Sequence, residues 1–104
     1  MELSVLERLM ALGALPAEGD YATLKILNQL KLSLSFSEKE IADWGIVSDL
    51  ENNRTTWTVP GITEIPIGEK ATDILVASLK KLNKEKKLNT DMMTLYEKFI
   101  PSDA

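Results

Sequence analysis

Two serines, Ser4 and Ser37, each stand three residues ahead of a glutamate, Glu7 and Glu40, and each pair opens an apolar-periodic run. This is the capping-box pattern, in which side chain and backbone at a helix start satisfy each other's free N–H groups. Asp20 and Asn89 are two further residues of good N-capping type. Four helix starts are thereby marked within 104 residues. The chain must build itself from short helices with sharp corners between them.

In the first helix, Leu3, Val5, Leu6, Leu9, Met10 and Leu12 cover about half the circumference at ~100° per residue. Ser4, Glu7 and Arg8 hold the other side, and Gly13 and Pro16 end the run. The loop Pro16-Ala17-Glu18-Gly19 leads to Asp20. A second helix is predicted over 21–34, with Leu24, Leu27, Leu30 and Leu34 in one stripe, Ile26 beside it, and Lys25, Asn28 and Lys31 facing away. The third, short helix follows Ser37, with Phe36 and Ile41 at the hydrophobic-staple positions, and ends near Asp43-Trp44-Gly45.

Beyond Gly45 the pattern turns extended. Residues 46–51 and 54–59 read as a hairpin joined by Asn52-Asn53, since asparagine tolerates the left-handed conformation of a two-residue turn. That loop would set Glu51 opposite Arg54, Leu50 opposite Thr55, Ser48 opposite Trp57 and Ile46 opposite Val59. Asp49 with Thr56 and Val47 with Thr58 would take the other face. After the Pro60-Gly61 turn, 62–67 reads as a third extended segment, restricted to a sheet edge by Pro66. A fourth helix from about 69 to 83 carries Ala71, Ile74, Leu75, Leu79 and Leu82 on its inner stripe. Asn89 opens the fifth, with Leu88 placed to staple Met93; Met92, Leu95, Tyr96, Phe99 and Ile100 are its apolar positions, and Pro101 its stop. The expected architecture is one α+β domain over 1–104: a small antiparallel sheet of two to three strands packed with about five helices, in the order α-α-α-β-β-β-α-α.

The chain has no histidine and no cysteine. That removes the usual general base near neutral pH, the commonest zinc ligand and the thiol nucleophile together. Sixteen acids are present, but Glu40 is occupied by its cap and Glu38 by the helix dipole, and no DxD-type spacing suggests magnesium. The expectation is therefore no catalytic residue, no metal and no cofactor. The longest apolar stretch falls far short of the ~20 residues that span a bilayer, and the N-terminus lacks the basic start of a secretory signal. A soluble protein of the cytoplasm is expected. Five lysines against one glutamate give +4 over 80–87 and leave −8 on the remainder. The acidic body and the absence of aromatics among those lysines argue against nucleic acid; lysines at a helix C-terminus complement its dipole.

Three residues could hold a small anion: Gly68 and Lys70 at a strand-to-helix junction, where free N–H groups collect, and Arg54. The P-loop and dinucleotide glycine spacings are absent, so Gly68 is more simply a cap or turn residue. Trp57 falls on the apolar hairpin face and is expected in the core, while Trp44 could serve as an exposed anchor. The wide apolar arc of the first helix exceeds what the surface of a small monomer needs. Leu6, Leu9 and Met10, with Trp44 and with Met92, Tyr96 and Phe99 of the fifth helix, are thus candidate interface residues.

The segments LSVLERLMALGALPAEGDYATLKIL, LSFSEKE and EIPIGEKATDILVASLKKLNKEKKLNTDMMTLYEKF span most of the chain from Leu3 onward. In wording and order they resemble short, uncharacterised bacteriophage and prophage proteins. The resemblance implies a phage-type origin, hence a host bacterial cytoplasm, and no enzymatic activity. Two functions are expected in turn. The first is protein–protein interaction, as a homo-oligomer or with a host or phage protein. The second is capture of a small anionic ligand, such as a signalling nucleotide, by an anti-defence accessory protein.

Overall fold

The computed structural model describes residues 1–100 apart from 17, 50 and 53. A strand β1 (Glu2–Leu3) is followed by helices α1 (Val5–Ala14), α2 (Tyr21–Leu34) and α3 (Glu38–Trp44). Strands β2 (Val47–Asp49), β3 (Arg54–Thr56) and β4 (Thr63–Glu64) come next, then α4 (Glu69–Lys84), a 3-10 turn Thr90–Met92, and α5 (Met93–Phe99). The fold is α+β. Its helices begin where the caps were read: both capping boxes are fully formed, Asp20 accepts from the Thr23 N–H, and Asn89 accepts from the Met92 N–H. Asn89 opens the 3-10 turn, with α5 continuing from it. Gly45 closes α3 in the left-handed conformation at φ 62°, a cap that suits glycine.

The strands form two separate two-stranded sheets instead of one. In the first, β4 pairs antiparallel with β1, Leu3 lying opposite Thr63, and so the third extended segment closes on the N-terminus and not on the hairpin. The Met1 ammonium binds Glu64 Oε1 at 2.6 Å, and the Ile65 N–H donates to the Met1 carbonyl. In the second, β2 pairs with β3 as Val47–Thr56, Ser48–Thr55 and Asp49–Arg54. This register is shifted by two residues from the one a two-residue Asn52-Asn53 turn requires, the paired strands ending at Asp49 and Arg54. The cause is Asp49, whose carboxylate accepts the N–H groups of Glu51 and Asn52 and the Asn52 side-chain amide, starting the turn early. A shift of two preserves which side each residue faces, so Asp49 replaces Glu51 as the partner of Arg54. Leu50 and Asn53 of the expected turn, Ala17 of the first loop and the Pro101 stop lie outside the described residues.

The core gathers Leu3, Ala11, Leu30, Leu34, Ile65, Leu75, Leu79, Leu95 and Phe99 between the helices. Helix α1 is its hub, lying against α2, α4 and α5. That explains the wide apolar arc within one chain: Val5 and Ala11 are fully buried, and Met10 and Leu12 pack against the core. The side expected in water is buried too, for Glu7 and Arg8 are 4% and 1% exposed. By contrast, the β2–β3 hairpin carries no buried residue in either strand and packs chiefly on itself. Trp57, expected in the core, is half-buried and stands outside the core cluster, beside Thr55 and Thr56 over a shallow depression.

Candidate functional site

The polar groups inside the molecule are the first place to look for chemistry, and they prove to be joints. Arg8 on α1 reaches the C-terminal end of α2, donating from Nε to the Leu34 carbonyl at 3.1 Å and from Nη2 to the Ser35 carbonyl. Its Nη1 meets Glu40 Oε2 at 2.8 Å, and its guanidinium lies 4.2 Å from the centre of the Phe36 ring, a cation–π distance. Free carbonyls at a helix end attract a cation. Glu40 brings the opposite charge while its Oε1 accepts from the Ser37 N–H. One guanidinium thus fastens α1, the end of α2 and the start of α3.

Glu7 makes the second joint. Its Oε1 accepts from the Ser4 N–H at 2.9 Å and from Lys98 Nζ at 2.7 Å, and Lys98 also donates to the Glu2 carbonyl. Burial works to raise the Glu7 pKa, but the Lys98 ammonium, the Ser4 N–H and the Thr94 hydroxyl outweigh it and hold the carboxyl below the ordinary glutamate value. For Glu40 the Arg8 donation lowers the pKa, against some desolvation. Both acids are held ionised by partners they already bind, which is the opposite of a poised general acid or base. Among the described residues no buried side-chain polar atom lacks a partner, and no cluster of three or more acids could hold a metal ion.

A half-open hollow with polar groups on its walls lies at the start of α4. A cavity of about 400 Å³ is lined by Ile26, Gln29, Leu30 and Ser33 of α2 and by residues 66–71. Gly68 is the N-cap there and supplies no side-chain acceptor, so the first-turn N–H groups of α4 have no capping partner among the described residues. Gly68 and Lys70 both line this cavity, as the sequence placed them, with Gln29 and Ser33 as polar neighbours that the sequence did not mark. Arg54 does not line it; it stands on the hairpin opposite Asp49. Glu69 lines the cavity as well, so its carboxylate opposes the Lys70 ammonium, and the first-turn N–H groups of α4 are what the arrangement offers a small anion.

The candidate interface residues are scattered. Phe99 is buried, while Leu6, Leu9, Met10, Trp44, Met92 and Tyr96 are half-buried. The Trp44 ring closes over Gly61: a Cβ there would stand 2.6 Å from its Cε3. The freely exposed large apolar side chains are others, chiefly Tyr21 and Leu32 on α2, Val47 on the hairpin, and Ile62. Periodicity could have found the α2 pair, since both fall outside the stripe of that helix. The lysines at 80–87 are exposed around the C-terminal end of α4, where Lys81 and Lys84 occupy the last turn. No helix is long and apolar enough to cross a membrane among the described residues. Compared with known proteins, the chain matches no family model, no curated protein and no solved structure.

Proposed function

We propose that this chain is a non-enzymatic binding protein that works through protein–protein contacts as a homo-oligomer, in the phage-type, host-cytoplasmic setting its wording resembles. The observation that carries this reading is exposed apolar surface. Large apolar side chains stand on this surface, with Tyr21 81%, Leu32 77%, Ile62 62% and Val47 60% exposed. Light scattering over micromolar concentrations is expected to give a multiple of 11.6 kDa. A constant monomer mass throughout that range overturns the oligomer.

The α4 cavity favours a second reading, capture of a small anion such as a nucleotide. Gly68 and Lys70 support it, and Arg54 takes no part. A protein that binds an anion there must melt later in its presence. A thermal-shift series with inorganic phosphate and nucleoside phosphates that leaves the midpoint unmoved removes this reading.

A further inference from the structure

We infer that two copies of this chain associate through α4: their outward stripes lie antiparallel about a two-fold axis between Val76 and Ala77, each acid facing a lysine of the other copy. The inference rests on the homo-oligomer reading above and names a surface for it.

Helix α4 turns Ala71, Leu75 and Leu79 into the core. At ~100° per residue, Glu69, Asp73, Ala77, Lys80 and Lys84 fall within an arc of about 80° on the other side, and all five are exposed. The stripe is ordered by charge, with two acids in its first half, two lysines in its second and an alanine between. Within one chain this order is unfavourable. Glu69 stands four residues from Asp73, and Lys80 four from Lys84, and like charges at that spacing repel. Among the described residues none of these four takes part in an ion pair. The helix dipole accounts for Glu69 in the first turn and Lys84 in the last. Its effect fades within one turn and leaves Asp73 and Lys80 unexplained.

An antiparallel copy resolves the conflict. With the axis between Val76 and Ala77, Glu69 lies level with Lys84 of the second copy and Asp73 with its Lys80. Symmetry repeats both pairs, as an isologous interface requires. A stripe without ion pairs of its own thus gains them from its copy. Val76 and Ala77 straddle the axis, where the short alanine side chain lets the helices approach, and the charged pairs flank this apolar centre. A parallel copy in the same register sets acid on acid and lysine on lysine, so the order of charges also selects the direction.

The wild-type chain carries its own reporter. On one helix Glu69 and Lys84 are ~22 Å apart, so a zero-length carbodiimide bond between them joins two chains. Peptide mass spectrometry of the cross-linked dimer is expected to find that bond at low salt and to lose it at ~1 M, where the pairs are screened. Glu69→Lys with Asp73→Lys makes the stripe wholly basic, and Lys80→Glu with Lys84→Glu makes it wholly acidic. Each double variant alone is expected to associate at least ~10-fold more weakly than wild type, with an unchanged circular dichroism spectrum, and the two mixed are expected to associate again. Ala77→Cys, in a chain with no cysteine of its own, is expected to form a disulfide with its copy beside the axis. Either double variant associating as wild type does, or a mixture that stays monomeric, overturns the α4 surface and leaves the oligomer reading standing. So does a dimer that forms neither the Glu69–Lys84 bond nor the Ala77→Cys disulfide. A wild-type chain that is monomeric throughout overturns both.

Discussion

The Arg8 guanidinium exchanges its water for four acceptors, two backbone carbonyls and both oxygens of Glu40. A buried charge of this kind stabilises little by itself, but removing its partner is costly. Glu40→Gln keeps the size and a capping oxygen yet strips the countercharge from a nearly inaccessible cation. It is expected to cost about 3 kcal/mol near neutral pH, read by urea denaturation. The pH dependence has a definite sign. Glu7 and Glu40 have folded-state pKa values below the ordinary 4.5. Their contribution is therefore complete above that value and lost as pH falls through the lowered ones. The wild-type urea midpoint should hold from neutral pH down to about 5 and then fall, and the fall should be shallower in Glu40→Gln. An equal acid slope in both proteins would remove Glu40 from the account. The capping bonds of Glu7 and Glu40 were legible in the sequence, but the joints were not, because the partners that Arg8 and Lys98 bring together lie between 26 and 91 residues apart.

The helices were legible because their signals are local. A capping box needs only three residues of separation, and the starts of α1, α2 and α3 follow their caps directly. Strands were harder for the same reason reversed. β1 is two residues long and its partner lies about sixty positions away, so no period reveals it. The hairpin was found in place but misregistered, because Asp49 bends the turn early. Between hairpin and sheet, Gly61 takes φ 60° and sits under the Trp44 ring and the Val5 side chain. Gly61→Ala must strain the backbone and also drive a methyl group into both neighbours. A loss of about 2–3 kcal/mol is expected, with reduced near-ultraviolet dichroism from the displaced Trp44. A substitution that leaves the urea midpoint within experimental scatter would show that the strap carrying Gly61 gives way freely.

At the scale of the molecule, the α+β class and the capped helices could be read from pattern, whereas the central position of α1 could not. Its apolar arc has one appearance in a sequence whether the cover comes from a second copy or from α4 and α5. Geometry alone distinguishes them, and within this chain α1 lies against α2, α4 and α5. The central position of α1 also bears on how the protein is made. The hub helix leaves the ribosome before α2 and α4, and α5, with the Lys98 that pairs Glu7, follows them. At about 5–20 residues per second, the hub waits on the order of ten seconds for its last wall. Through that interval its apolar arc is open to whatever meets the nascent chain, including a neighbouring copy or a chaperone.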